Sequence, residues 1–217
     1  MPKNKIISKP CESNKRPRGR PKGSGRSHRS LTANELKRLR AAAATSRHPA
    51  RNSCLIELAL GTGLRINELL KINLGMVRAH DGSPRKNFNI GTTKNGTSFR
   101  VHLTNQAHKA LADYFDYVDS QNLDLDEPLF KSQKGGFITP TSGSRLIITL
   151  LQDAGVDASV GGAHSLRRYA AQSLMKHTKG NLKLTSLFLN HKDCSQTSRY
   201  LSASKTELKD ALAGMRV

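Results

Sequence analysis

The spacing of apolar residues predicts three helices in the first part of the chain. Thr32 and Glu35 form a capping-box pattern at the start of a helix that runs to about residue 44. A second helix is predicted over residues 50–60, and it stops at the glycines of segment 61–63. A third begins near residue 65, and its apolar side is formed by Ile66, Leu69 and Leu70.

Between residues 76 and 103 the period of the pattern changes from helical spacing to alternation. Segments 88–90 and 99–103 alternate, and Asn95-Gly96 between them is a strong hairpin signal. We therefore expect a small antiparallel sheet of two or three strands. Helical spacing returns over 105–118, 140–155, 165–177 and 181–190, in a short segment ending near 200, and over 204–213. The predicted fold class is α+β, mainly helical with one small antiparallel sheet.

The charge of the chain points to a polyanionic partner. The 217 residues include 36 Lys and Arg against 16 Asp and Glu, a formal net charge of +20. Nucleic acid is the most frequent partner of so basic a protein. The longest apolar run, 146–151, is too short for a membrane span, and no apolar stretch follows the basic first residues as in a secretory signal. Three scattered cysteines fit neither a disulfide framework nor a four-ligand metal site, and we expect a cytoplasmic protein.

The positive charge is concentrated in the first thirty residues. They hold ten Lys and Arg and one acid, a net charge of +9, and almost no large apolar residues. Such a segment cannot bury enough surface to offset its ordering entropy. We predict a disordered basic arm over residues 1–30 and a folded domain over 31–217.

A short motif inside the arm resembles an AT-hook, which inserts into the minor groove of A·T-rich DNA. Gly19 lets the backbone approach the floor of the groove, and the flanking prolines keep the segment extended. Cations attracted by the narrow, negative groove flank that glycine. The alternative is a basic tail that contacts phosphates without sequence preference. The candidate DNA-binding residues are Arg18, Gly19, Arg20 and Lys22.

Several polar residues lie where neither an amphipathic helix nor a hairpin requires them. Each type is ordinary by itself, but their order and separations resemble those of the tyrosine recombinase (phage integrase) family. The matching segments are Thr62-Gly-Leu-Arg65-Ile-Asn-Glu68-Leu-Leu70, Thr93-Lys94-Asn-Gly, His164-Ser-Leu-Arg167-Arg168, Leu189-Asn-His191 and Thr197-Ser-Arg-Tyr200.

The resemblance implies a role for each residue in phosphoryl transfer. Tyr200 would attack a DNA phosphodiester, giving a covalent 3′-phosphotyrosine and a free 5′-hydroxyl. Lys94 would protonate the leaving 5′-oxygen, and His164 would act as base or acid towards the tyrosine hydroxyl. Because the phosphotyrosine conserves the bond energy, the resemblance implies no metal, ATP or other cofactor.

The remaining residues would bind the phosphate or support those that do. Arg65 and Arg167 would hold the non-bridging oxygens, since a planar guanidinium matches their geometry. His191 would donate a further hydrogen bond. Glu68 would orient Arg65, and Arg168 would contact the DNA backbone.

Two departures from the family pattern stand out. Asn190 occupies the place of the usual glycine before His191, and asparagine tolerates the left-handed conformation that the turn needs. Before residue 31 the basic arm stands where the family usually has a helical core-binding domain. The architecture thus resembles the short recombinases that invert fimbrial promoters, and we expect the arm to take over part of the DNA contacts that the core-binding domain makes in the family.

The resemblance also implies partners. We expect double-stranded DNA and a homodimer that assembles into a tetramer on DNA, for integration, excision or inversion of a mobile element. The apolar side of segment 204–217 would pack into a neighbouring protomer or fold onto its own domain. Two other functions are compatible with the same residues: a type IB topoisomerase-like nicking and resealing enzyme, and a DNA-binding accessory or regulatory protein that does not cut.

Overall fold

The structure, a computed structural model, describes residues 29–91, 98–119 and 124–191 together with Ser195 and Thr197. This part of the chain is mainly helical with two small antiparallel sheets, which confirms the predicted α+β class. None of its helices is long and apolar enough to cross a membrane. In chain order the elements are α1 Ala33–Thr45, α2 Pro49–Thr62, α3 Ile66–Leu69, α4 Leu74–Val77, β1 Asn87–Gly91, β2 Ser98–His102, α5 Asn105–Asp119, β3 Lys131–Ser132, β4 Gly135–Phe137, α6 Pro140–Asp153, a 3₁₀ turn Ala158–Val160, α7 His164–His177 and α8 Leu182–Phe188.

Helix α2 forms the centre of the core. It packs against α1, α5 and α7, and Leu55, Ile56 and Leu58 are completely buried. A helix that is apolar on most of its surface must be enclosed by its neighbours. The helix ends where Gly63 adopts φ 62°, a left-handed conformation that glycine enters without steric cost. This sharp ending directs the following residues towards the site described below.

The first sheet is the hairpin that the alternating pattern predicts. Strands β1 and β2 are antiparallel, with Phe88 opposite Val101 and Ile90 opposite Phe99. Phe88, Ile90 and Val101 face the core. The Asn95-Gly96 turn and Lys94 lie outside the described residues. The second sheet, β3 with β4, was not predicted because two strands of two and three residues are too short to show alternation.

The predicted capping box at the start of α1 is confirmed. The Glu35 N–H donates to Thr32 Oγ1 at 3.2 Å, and the Thr32 N–H donates to the Glu35 carboxylate at 2.9 Å. The Arg29 guanidinium binds the same carboxylate through both its Nη atoms, at 2.8 and 2.5 Å. The Arg29 N–H also donates to the Ser159 carbonyl at 3.1 Å. Arg29, which the charge pattern places in the arm, therefore contacts the folded part.

Candidate active site

Arg167 is a cation buried in the first turn of α7, with only 3% of its surface exposed. Its guanidinium donates to the carbonyl of Gly63 and, at 2.7 Å, to the carbonyl of Leu189. These two residues are the C-caps of α2 and α8. Carbonyls at a helix C-terminus lack intrahelical donors and carry the negative end of the helix dipole. The meeting of two such ends therefore stabilises a buried positive charge.

His191 follows α8 and is a third partner of Arg167. Asn190 adopts φ 48°, which confirms the left-handed conformation expected at this position. The turn brings His191 Nε2 to 2.9 Å from Arg167 Nη2. Because a guanidinium only donates hydrogen bonds, Nε2 is the acceptor and the neutral ring carries its proton on Nδ1. Nδ1 in turn donates to Thr197 Oγ1 at 2.8 Å.

The protonation of His191 is set by its surroundings. Burial of the ring, and then the positive charges of Arg167 and Arg65, lower the pKa of His191 to about 4, while Glu68 acts in the opposite direction. A buried imidazole beside two guanidinium groups binds a proton poorly, since both burial and like charge disfavour the cation. His191 is therefore neutral at pH 7.

Arg65 and Glu68 form a local pair at the start of α3. Arg65 is the N-cap, its N–H donates to the Glu68 carboxylate at 2.8 Å, and its Nη1 lies 3.1 Å from the same carboxylate. This contact is the one that an orienting role for Glu68 requires. About 42% of the Arg65 side chain is exposed, so part of it can meet a ligand from solvent.

His164 begins α7, and its side chain is partly exposed and partly covered by its neighbours. Partial burial of its ring, and then the charges of Arg167, Arg168 and Arg65, lower its pKa below the ordinary value for histidine. The ring is therefore neutral at pH 7 and able to accept a proton. The Arg168 Nη1 donates to the Arg29 carbonyl at 2.8 Å. A contact of Arg168 with DNA stays a prediction.

The fold brings five of the candidate residues to one place. The C-terminal ends of α2 and α8 meet the N-terminal ends of α3 and α7, and the hydrogen bonds and charges above link the side chains. Two guanidinium groups beside neutral imidazoles suit a tetrahedral anion such as a phosphate diester. The residues brought together are Arg65, Glu68, His164, Arg167 and His191. The candidates outside the described residues are Lys94, Tyr200, Arg18, Gly19, Arg20 and Lys22.

Three participants were not singled out from the sequence. Gly63 and Leu189 act through backbone carbonyls, which no side-chain pattern reveals. Thr197 contacts His191 through its side chain and is completely buried. Its signal was available, because it opens the same short motif that ends at Tyr200.

Comparison with known proteins gives consistent relatives. The model of the phage integrase family matches residues 29–207. Tyrosine recombinase XerD of Haemophilus ducreyi is 29% identical over 164 residues, which cover 73% of this chain and 52% of the relative. Type 1 fimbriae regulatory protein FimE of Escherichia coli K12 is 26% identical over 179 residues, which cover 81% of this chain and 86% of the relative. The chain spans about half the length of the curated Xer recombinases it matches.

Solved structures share the fold. The crystal structure of XerA recombinase matches with a TM-score of 0.73 and 24% identity, covering 91% of this chain and 68% of that one. The structure of XerH site-specific recombinase bound to its difH substrate matches with a TM-score of 0.66 and 22% identity, covering 88% of this chain and 55% of that one. The helical arrangement with its small sheets is thus one that these recombinases have.

Proposed function

This chain belongs to the phage integrase family, and we propose that it acts as a site-specific DNA recombinase. The observation that carries the proposal is the pairing of buried Arg167 with His191 where two helix C-termini meet. A protein that only binds DNA does not need a buried guanidinium held by three acceptors, because exposed cations bind phosphates without that cost.

Arg65 and Arg167 bind the non-bridging oxygens of the scissile phosphate. Arg167 is fixed before DNA arrives, so its charge stabilises the five-coordinate transition state without reorganisation. Arg65 is half exposed and paired with Glu68, so it can contact an incoming phosphate while its backbone stays fixed. The two arginines thus have different tasks. Arg65 makes the first contact with the incoming phosphate, and Arg167 binds the phosphate in its reactive position.

Tyr200 supplies the nucleophile. Its phenolic oxygen bonds to phosphorus as the bond from phosphorus to the 5′-oxygen breaks, and the product is a 3′-phosphotyrosine. The phenolic proton passes to His164, whose lowered pKa keeps it ready to accept, and Lys94 gives a proton to the leaving 5′-oxygen. The hydroxyl of a partner strand then attacks the phosphotyrosine in reverse. Because the covalent linkage conserves the bond energy, the exchange needs no ATP and no metal.

Double-stranded DNA is the proposed substrate. The net charge of +20 supports it, as does the shared fold with XerH, whose structure contains its difH substrate. Exchange between two sites requires cleavage of four strands, one by each protomer. We therefore propose that a homodimer binds each site and that two dimers form a tetramer when the sites pair. The basic arm of residues 1–30 adds phosphate contacts and, through residues 18–22, a contact in an A·T-rich minor groove.

The test is a covalent adduct on a nicked duplex that carries a binding site first selected from random DNA. The nick lets the cleaved end diffuse away, so the adduct accumulates. Wild-type protein should form it, Tyr200→Phe should form none, and the control Tyr117→Phe, at an exposed tyrosine of α5, should behave as wild type.

Three other results would count against the proposal. An adduct that persists in Tyr200→Phe would overturn the assignment of the nucleophile. No adduct with wild-type protein would favour an accessory DNA-binding protein. Relaxation of supercoils without exchange between two sites would favour a topoisomerase.

A further inference from the structure

We propose that Thr197 is a positioning residue whose hydroxyl lets His191 move its proton from Nδ1 to Nε2 when DNA binds. The inference rests on the proposed function, since it concerns how His191 becomes a donor to the scissile phosphate. That role needs a proton on Nε2, whereas in the structure Nε2 accepts a hydrogen bond from Arg167.

In the structure, His191 is set up as an acceptor on the side where a phosphate would bind. Nε2 lies 2.9 Å from Arg167 Nη2, and the guanidinium has no lone pair to offer. Nε2 therefore carries no proton and cannot donate a hydrogen bond to a phosphate oxygen. In the free protein, Arg167 Nη2 and His191 Nε2 are thus hydrogen-bonded to each other, whereas in the complex both would bind the phosphate.

A phosphate oxygen that takes the hydrogen of Arg167 Nη2 leaves Nε2 facing a negative acceptor. Nε2 must then carry a proton, either because the ring becomes a cation or because its single proton changes nitrogen. Among the described residues, the charged groups that face the ring are Arg167, Arg65 and Glu68, two cations and one anion. The phosphate adds a second negative charge, so the charges around the ring offset one another and burial of the ring decides in favour of the neutral form. The change of nitrogen is therefore the lower-energy route.

The change of tautomer turns Nδ1 from a hydrogen-bond donor into an acceptor. With its proton gone, Nδ1 is an acceptor and needs a donor within hydrogen-bond distance. A hydroxyl both accepts and donates, so Thr197 Oγ1 at 2.8 Å can turn its hydrogen towards Nδ1 while its oxygen stays in place. Atoms and charge balance, because the half-buried ring exchanges protons with water when the site opens locally: one proton leaves Nδ1 and one reaches Nε2, while the hydroxyl keeps its hydrogen.

The position of Thr197 makes its hydroxyl hard to replace. Thr197 has no exposed surface, so solvent cannot take over the hydrogen bond. An unsatisfied Nδ1 in this place would carry the full desolvation penalty of a buried polar atom. Thr197 also precedes Tyr200 by three residues, so the same hydrogen bond joins the phosphate site to the segment that carries the nucleophile.

The direct test is nitrogen NMR of ¹⁵N-histidine-labelled protein in the Tyr200→Phe background, which does not cleave. The resonances of His191 should report a proton on Nδ1 in the free protein and on Nε2 in the complex with the selected duplex. With Thr197→Val added, the Nε2-protonated form should be lost from the complex. The same tautomer with and without DNA, or a doubly protonated ring in the complex, would overturn the proposal.

A kinetic test uses the nicked duplex and protein that retains Tyr200 and can therefore form the adduct. Thr197→Val keeps the shape and removes the hydroxyl, and it should slow adduct formation at saturating DNA by about tenfold or more, the factor expected for one hydrogen bond. Thr197→Ser keeps the hydroxyl and should react within a small factor of wild type. Thr185→Val removes another buried hydroxyl, on α8, and controls for the loss of such a group elsewhere.

The outcomes separate the two proposals. If neither wild type nor Thr197→Ser forms an adduct, the proposed function fails. If Thr197→Val forms the adduct at the rate of wild type, the function stands and the role of Thr197 is wrong.

Discussion

At the scale of residues, the site depends on how a positive charge is kept away from water. Arg167 is stabilised by two carbonyl oxygens and a neutral imidazole, which are shared between its two Nη atoms. Lysine cannot provide donors in that arrangement, since its ammonium is a single compact group. The order of the motifs along the chain predicted that Arg167 and His191 matter. It could not predict their partners, because the carbonyls of Gly63 and Leu189 belong to the backbone and meet only after folding.

The same burial makes the stability of the protein depend on pH through His191. Its pKa is about 4 in the fold against an ordinary value near 6.5, so the unfolded chain binds the proton more tightly. Stability that is complete above pH 6.5 is therefore lost as the pH falls from 6.5 towards 4. His191→Gln keeps a neutral acceptor and should flatten this dependence.

The measurement is the melting temperature of both proteins between pH 7.5 and 4.5. His164 and His48, whose pKa values are also lowered, are present in both proteins, so the difference between the curves isolates position 191. Parallel curves would show that His191 is not the group responsible.

At the scale of elements, short pieces of structure are fixed by side chains at their ends. A four-residue helix such as α3 or α4 is too short to be stable by itself. The Glu68 carboxylate accepts from the N–H of Arg65, the N-cap of α3, and Asn73 Oδ1 accepts from the Met76 N–H at 3.0 Å to cap α4. Sequence patterns found α1 and the β1–β2 hairpin because capping and alternation are local. They missed α4 and β3–β4, which have four residues or fewer and therefore cannot show a repeating pattern.

The N-terminus of α1 allows the contribution of such side-chain contacts to stability to be measured. Hydrogen bonding to Arg29 lowers the pKa of Glu35 to about 2, and the same carboxylate closes the capping box with Thr32. Glu35→Gln keeps the box, since glutamine serves at this position, but loses the ion pair with Arg29. The melting temperature at pH 7 should fall by a few degrees.

The difference from wild type should vanish at low pH. A lowered pKa means that the contribution of Glu35 is present above about pH 4.5 and is lost as the pH falls through 2. Asp116→Asn, at an exposed position of α5, serves as the control and should melt as wild type at every pH. A constant offset of Glu35→Gln from pH 7 to 2 would contradict the ion-pair explanation.

At the scale of the whole molecule, positive charge is divided between two parts of the chain. Of the net charge of +20, nine units belong to residues 1–30 and the other eleven to the rest. Phosphate contacts release counterions, so each contact steepens the dependence of binding on salt. The contributions of the two parts to DNA binding can therefore be distinguished by measuring affinity for DNA at several salt concentrations, with and without the arm.

Deletion of residues 1–28 is the clean version of this experiment, because it leaves Arg29 and its contacts in place. It removes nine Lys and Arg. The slope of log K against log salt should become shallower by several units, with an upper limit of about eight if every one contacts a phosphate. Arg18→Ala with Arg20→Ala should change the slope by about two and reduce the preference for A·T-rich duplexes. An unchanged slope after the deletion would show that the arm does not contact DNA.

The anchoring of Arg29 also limits how far the hook-like motif can reach. Pro21 precedes Arg29 by eight residues, and a chain spans at most about 3.6 Å per residue, so the two lie within about 29 Å of each other. That distance equals roughly eight or nine base pairs along a duplex. Arg168 of α7 binds the Arg29 carbonyl, so the arm is anchored next to the helix that carries Arg167, the proposed phosphate ligand. An A·T-rich tract bound by the hook would thus lie within about one turn of the duplex from Arg29 and would belong to the recombination site itself. The length of the arm would then limit the distance between that tract and the point of cleavage.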